Sequence, residues 1–141
     1  MTSPLLRIEN LTGGYGPVPV LHEVSFDVPS GTIAAVVGAN GAGKTTLLRA
    51  LSGMLPAVQG SISVSGTSVL GVPTEKLVHH GVAHVPEGRG VIGELTVEEN
   101  LLTGAFTRKG SRADIAAALE RVYRYFPRLK ERRASLAGYT S

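Results

Sequence analysis

The pattern of apolar and polar residues predicts several short strands in the first part of the chain. Residues 5–11 predict a first strand. At 24–28 and 60–66, apolar residues alternate with polar ones, which is typical of strands with one face in solvent. The run TIAAVV at 32–37 is almost continuously apolar and predicts a strand buried on both faces. The run GVAHVP at 81–86 predicts one more apolar strand.

Helical signals occur between these strands and throughout the rest of the chain. Leucines at helical spacing predict a helix over 45–55, and a proline followed eight residues later by glycine predicts a short helix over 73–80. Capping boxes that begin at Thr96 and Ser111 predict two further helices, the second with an apolar stripe on one face. The tail at 128–141 is basic and then small and polar, and it predicts no element of its own.

A glycine-rich turn between a predicted strand and a predicted helix carries the most specific chemistry in the sequence. Gly38, Gly43 and Lys44 have the spacing G-x-x-x-x-G-K-T, in which residues without a Cβ let backbone N–H groups approach an anion. The helix that follows adds free N–H donors, and Lys44 adds a charge for β and γ phosphates. The Thr45 hydroxyl is at the position that ligates Mg²⁺. The order of strand, loop and helix therefore predicts a nucleotide-binding P-loop.

Composition excludes several other classes of protein. The chain of 141 residues contains no cysteine, which excludes disulfides and thiolate metal sites. Its net charge is only +3 and its aromatic content 5%, too little for a nucleic-acid stacking surface, so we expect no nucleic-acid partner. No apolar run approaches the roughly 20 residues that span a bilayer, and the first residues lack a secretory signal. We therefore expect a cytosolic protein.

Four segments together resemble the ATP-binding subunit of ABC transporters. They are GANGAGKTTLL, the turn GGYG before it, GSISVSG after it, and VPEGRGVIGELTVEENLL. The VPEGR and ANGAGKTT segments are most similar to the subunits of branched-chain amino acid importers. The resemblance implies an α/β P-loop NTPase fold of the ABC ATPase type, with a mixed sheet and flanking helices, of which the chain is the amino-terminal portion. It implies a nucleotide-binding core at 1–95 and the start of a helical subdomain at 96–141.

By position, the resemblance also implies roles for single residues. Tyr15 stacks on adenine, Thr46 contacts the α phosphate, and Glu87 stands where most of the family has glutamine, in a loop that senses Mg²⁺ and the γ phosphate. A carboxylate there adds negative charge unless Mg²⁺ or Arg89 balances it, although glutamate is usual in the branched-chain branch. The candidate catalytic residues are Lys44 and Glu87, and the candidate metal ligands are Thr45 and Glu87. The candidate nucleotide-binding residues are Tyr15, Gly38, Ala39, Asn40, Gly41, Ala42, Gly43, Lys44, Thr45 and Thr46.

The resemblance implies ATP and Mg²⁺ as cofactors and a transport complex as the setting. Its partners are a second ATP-binding subunit, transmembrane permease subunits and, indirectly, an extracytoplasmic solute-binding protein, and it lies on the inner face of the cell membrane. Hydrolysis in the family uses an apolar strand that ends in Asp–Glu, and an LSGGQ-type signature completes the partner's site. The chain has neither, because its two aspartates, Asp27 and Asp114, stand elsewhere. We expect that it ends just before the signature and binds ATP without hydrolysing it alone.

Two other functions fit the same loop. One is a non-catalytic nucleotide-binding module, which the lack of an Asp–Glu pair favours. The other is a different P-loop enzyme, either a GTPase or a small-molecule kinase. A GTPase needs an N-K-x-D guanine reader, which the sequence lacks, whereas the arginines at 121–133 resemble a kinase lid.

Overall fold

The computed structural model describes residues 3–88 and 90–140 and divides into two compact units, Met1–His84 and Val85–Ser141. The strands are β1 (Leu6–Gly14), β2 (Leu21–Val28), β3 (Ala57–Val64) and β4 (Thr67–Ser68). They form one sheet of the first unit in the order β2-β1-β3-β4, and their pairings are antiparallel. The three strands predicted at 5–11, 24–28 and 60–66 are therefore confirmed.

Two helices of the first unit follow the predicted positions. They are α1 (Lys44–Leu51) and α2 (Thr74–Leu77), and α2 continues into a 3₁₀ turn at Val78–His80. The helix predicted over 45–55 ends earlier than expected because Gly53, just after it, adopts a φ of 67° and turns the chain away. Gly81 ends the second helical stretch in the same way, with a φ of 81°.

The core of the first unit lies between the sheet and α1. Ile8 and Leu11 of β1 are almost completely buried, although residues three apart on a regular strand face opposite sides. Asn10 between them has a φ of 51°, and the pairing register of β1 with β2 shifts between Ile8 and Leu11. This bulge turns both side chains to the same face, where they share one apolar cluster with Leu47 and Ala50 of α1.

The bulge depends on Gly60 of β3, which has a φ of 106°. A Cβ at this position would lie 2.6 Å from the backbone oxygens of both Glu9 and Asn10. We expect Gly60→Ala to lower the free energy of unfolding by about 2–3 kcal/mol, since it combines backbone strain with a steric clash. Urea unfolding measures the change. Gly66→Ala is the matched control, because Gly66 has a φ of 78° but open space around it, and strain alone should cost about 1 kcal/mol. Equal losses of unfolding free energy in the two variants would contradict the steric clash at Gly60.

The strands predicted at 32–37 and 81–86 are wrong, because both segments lack regular secondary structure. Most of their apolar side chains are open to solvent: Ile33 is 100% exposed, Val37 88% and Val85 90%, whereas Val82 packs partly against the core. A strand of this kind forms only when neighbouring strands pair with it and helices cover its faces. Among residues 3–88 and 90–140, no segment pairs with either run.

The second unit is helical, and its helices begin at the predicted capping boxes. The helices are α3 (Val97–Thr103), α4 (Arg112–Tyr125) and α5 (Pro127–Glu131). At α3 the Thr96 hydroxyl accepts from the Glu99 N–H, and the Glu99 carboxylate accepts from the Thr96 N–H at 2.8 Å. Ser111 and Asp114 repeat this arrangement at α4. Hydrogen bonds from the N-cap residue lower the pKa of each carboxylate: those from Thr96 act on Glu99, and those from Ser111 act on Asp114. In the described ranges, no helix is both long and apolar enough to cross a bilayer.

The prediction that 128–141 contains no element was wrong. Besides α5, this stretch has a 3₁₀ turn at Ala137–Tyr139, and its backbone bonds to the segment before α3. The Ala137 N–H donates to the Leu95 oxygen at 2.9 Å, and the Val97 N–H donates to the Ser135 oxygen at 3.0 Å. Small residues permit this close pairing, since a Cβ on Gly138 would lie 3.2 Å from the Gly93 oxygen.

The buried phenol of Tyr123 links α4 to α3 and makes the free energy of unfolding vary with pH in the alkaline range. Tyr123 is 4% exposed and donates to the Glu98 carboxylate at 2.7 Å, and burial together with this bond raises its pKa to about 12. Because the folded pKa lies above the unfolded value of about 10, the contribution is complete below pH 10 and is lost as pH rises toward 12. We expect the free energy of unfolding to fall by at most about 3 kcal/mol across this window. Tyr123→Phe should remove the decline, and an unchanged decline would contradict this assignment.

Candidate nucleotide-binding site

The glycine-rich loop leads directly into α1. Gly41 and Gly43 have φ values of 82° and 95°, the left-handed region that the sequence predicts for glycines of such a loop, and the Ala42 N–H donates to the Ala39 oxygen at 3.2 Å. Gly43 is the N-cap of α1, so no side chain caps this helix, and its first turn contains no acidic residue. The N–H donors and the positive end of the helix dipole therefore point toward the loop. This local geometry suits a phosphate.

Lys44 lies over the loop that precedes it. Its ammonium donates to the backbone oxygens of Gly38 at 2.6 Å and Ala39 at 2.7 Å, and the side chain is half-buried. An ammonium has three N–H donors, so one donor remains beyond these two bonds. Next to it, Thr45 is exposed, whereas Thr46 is buried. The structure thus presents the Lys44 charge and the Thr45 hydroxyl at the start of the same helix.

Tyr15 reaches the same helix from the turn that follows β1. Its hydroxyl accepts a hydrogen bond from Arg49 Nη1 at 3.2 Å and lies 3.5 Å from Thr46 Oγ1. These bonds, that of Thr46 first, lower the pKa of Tyr15. The side chain is 50% exposed. The structure therefore brings Tyr15 and Thr46 together, and it adds Arg49, which the sequence analysis missed although it lies three residues after Thr46 on one helix face.

Glu87 lies in the second unit, in an exposed bend after the apolar run at 81–86. Arg89, the residue expected to balance its charge, lies outside the described residues. The role of Glu87 beside a γ phosphate stays a prediction.

A polar contact at the end of α1 also escaped the sequence analysis. The buried Ser52 hydroxyl donates to the Leu48 oxygen at 2.8 Å, and His84 Nδ1 lies 3.0 Å from the same hydroxyl. Because the hydroxyl has one hydrogen, already donated, His84 Nδ1 must be the donor. The Thr74 hydroxyl in turn donates to the backbone carbonyl oxygen of Ser52 at 2.9 Å. These bonds tie α2 and the apolar run at 81–86 to the end of α1.

The sheet, the glycine loop and the uncapped helix together define a P-loop domain of the α/β class. The sequence pattern of the ABC transporter family matches residues 21–138, and the chain belongs to this family.

Similar proteins agree with this assignment. The chain is 42% identical to the high-affinity branched-chain amino acid transport ATP-binding protein BraG of Pseudomonas aeruginosa, over 97% of this chain and 58% of that protein. It is 33% identical to the arabinose import ATP-binding protein AraG of Mannheimia succiniciproducens, over 92% of this chain and 26% of that one. A solved structure of an ATP binding subunit of an ABC transporter superimposes with a TM-score of 0.79 at 32% identity, over 97% of this chain and 56% of that one. The predicted ABC ATPase fold is confirmed, and the chain spans less than two thirds of these relatives.

Proposed function

We propose that the chain binds MgATP and belongs to the ATP-binding subunit of an importer. The observation that carries this proposal is the start of α1, where the N-cap residue Gly43 leaves the helix without a side-chain cap and Lys44 lies over the loop. The geometry favours a phosphate chain, because backbone N–H groups and one ammonium converge there without a competing acid in the first turn.

In this proposal each residue of the site has a distinct task. The backbone of 38–43 and the first turn of α1 bind the β and γ phosphates, and Lys44 balances their charge. Thr46 contacts the α phosphate, while Tyr15 stacks on adenine with its half-exposed ring.

The residues also fit Mg²⁺. Thr45 offers an exposed hydroxyl, the hard oxygen ligand that this cation prefers, and phosphate oxygens and waters supply ligands that do not come from the protein. In the described part of the chain, no group of three or more His, Cys, Asp or Glu forms a metal cluster. When bound, Mg²⁺ neutralises phosphate charge. Glu87 is the second proposed ligand.

Magnesium dependence tests this function. We expect MgATP at 100 times its dissociation constant to raise the free energy of unfolding by about 2.7 kcal/mol. Thr45→Val should remove most of the difference between ATP with Mg²⁺ and ATP with EDTA, since it deletes one oxygen ligand. Thr67→Val is the matched control, because Thr67 is also exposed but lies on β4. If MgATP does not stabilise the wild-type chain, the proposal is wrong.

The relatives support an importer more strongly than a particular solute. The 42% relative transports branched-chain amino acids, whereas a 33% relative imports arabinose. We propose the branched-chain class, with a second ATP-binding subunit and permease subunits as direct partners, a solute-binding protein as an indirect one, and a position on the inner face of the membrane. In the complete subunit, Lys44 and Glu87 would act in ATP hydrolysis.

For the 141-residue chain alone we propose binding without turnover. Both of its aspartates already have structural partners: Asp27 pairs with Arg7 at 3.2 Å, and Asp114 caps α4. Asp27 lies on β2 before the P-loop and Asp114 lies in the first turn of α4, so neither stands at the end of an apolar strand as the acid that the family uses beside Mg²⁺ does. Release of phosphate from bound MgATP at a rate above that of the Lys44→Ala variant would contradict this proposal and favour a catalytic P-loop enzyme.

A further inference from the structure

Arg49 joins the turn that carries Tyr15 to the helix that begins at the P-loop. Arg49 Nη1 donates to the Tyr15 hydroxyl at 3.2 Å, and its guanidinium carbon lies 5.8 Å from the centre of the ring. This second distance is near the limit of about 6 Å for a cation–π contact, so the hydrogen bond at the rim of the ring is the closer interaction. Thr46, one helical turn earlier, approaches the same hydroxyl at 3.5 Å.

The turn itself restrains the ring little. Tyr15 is half-exposed, and Gly16 after it has open space where a side chain would be. A tyrosine in such a turn loses rotamer freedom only if something holds it, and the hydroxyl bonds to α1 are the polar contacts that do so. A bond to the hydroxyl holds the ring by its rim, which leaves ring surface for stacking.

We propose that Arg49 is a positioning residue for the adenine of the bound nucleotide. It fixes the Tyr15 ring relative to α1, and the first turn of α1 binds the phosphates. Arg49 therefore sets the distance between the base and the phosphate parts of the site. This inference rests on the proposed function, and it adds a residue that acts through Tyr15 without contacting phosphate.

The proposal predicts different effects on ligands with and without the adenine base. Loss of Arg49 should weaken a ligand that carries adenine and leave unchanged a ligand that carries only the phosphate chain. If Arg49 acted merely through its positive charge, both ligands would weaken together, because the charge attracts every phosphate. If it acted only on the stability of α1, both would also change together.

A double-mutant cycle tests this on the 141-residue chain. Calorimetry measures the affinities of MgATP and magnesium tripolyphosphate for wild type, Arg49→Met, Tyr15→Phe and the double variant. We expect each single variant to bind MgATP about 5- to 10-fold more weakly, the double variant to be no weaker than either, and tripolyphosphate affinity to stay within about 2-fold. Lys76→Met, which removes an exposed charge from α2, is the control and should change neither affinity.

A spectroscopic signature accompanies these affinities. Hydrogen bonds lower the pKa of Tyr15, so Arg49→Met should shift its ionisation, followed at 295 nm as the difference from Tyr15→Phe, to higher pH. Arg49→Lys keeps the charge and a donor and should restore part of the MgATP affinity.

Three results would overturn the proposal: equal losses for MgATP and tripolyphosphate, additive losses in the double variant, or unchanged MgATP affinity in Arg49→Met. A wild-type chain that binds neither ligand would refute the proposed function, and the positioning role with it. If the wild-type chain binds MgATP and Arg49→Met binds it with the same affinity, the positioning role alone is refuted.

Discussion

Replacing Lys44 by alanine is expected to weaken MgATP binding by about 100-fold or more. Two charge-assisted hydrogen bonds to phosphate at roughly 1.5 kcal/mol each correspond to this factor. In the free protein, the same ammonium bonds to the Gly38 and Ala39 oxygens, so the variant also loosens the loop. The binding loss should nevertheless dominate, because these free-state bonds join a charge to neutral oxygens in a half-buried place.

The measurement is the increase in unfolding free energy that MgATP causes, compared between wild type and variant. At a ligand concentration of 100 times the wild-type dissociation constant, the increase of about 2.7 kcal/mol should fall below about 0.5 kcal/mol. Lys76→Ala is the matched control, since it removes an exposed lysine of the same unit and should keep the full increase. If Lys44→Ala retains it as well, the lysine is not a phosphate ligand and the site is misassigned.

Replacing Leu11 by alanine is expected to lower the free energy of unfolding by about 2–5 kcal/mol. Leu11 is 0% exposed and belongs to the cluster between the sheet and α1, so the shorter side chain leaves a cavity that its neighbours fill only in part. A loss of this size is a large fraction of the stability of a small domain.

Chemical unfolding of the nucleotide-free chain measures this loss. Leu5→Ala serves as the control, because Leu5 precedes β1 and is 42% exposed, and it should cost less than about 1 kcal/mol. Similar losses for the two variants would mean that the bulge at Asn10 does not direct Leu11 into a packed core.

Elements whose signals lie within their own residues could be predicted from the sequence. Alternation indicated the two faces of β2 and β3, and the capping boxes marked the starts of α3 and α4, because both signals are local. The left-handed glycines of the P-loop belong to the same group, since only residues without a Cβ adopt that conformation readily.

Features that depend on distant partners could not be predicted. The apolar runs at 32–37 and 81–86 become strands only beside other strands, and no strand among the described residues pairs with either run. The tail at 128–141 pairs through its backbone with residues before α3, which no side-chain pattern indicates. The contacts of Arg49 and His84 could not be predicted for a similar reason. Arg49 lies 34 residues from Tyr15, and His84 lies 32 residues from Ser52.

Among the described residues, the three longest helices begin in two different ways. Hydroxyl and carboxylate groups close the starts of α3 and α4, whereas α1 begins at a glycine with no side-chain cap. A side-chain cap and an acid in the first turn would together add about 1 kcal/mol to α1. Without them, the amide hydrogens of its first turn have no acceptor in the described part of the protein, and they exchange with solvent without any opening of the helix. A phosphate that accepts from these amides slows their exchange, because each amide must first lose the ligand, so ligand affinity and the exchange rate at this helix end measure the same free energy.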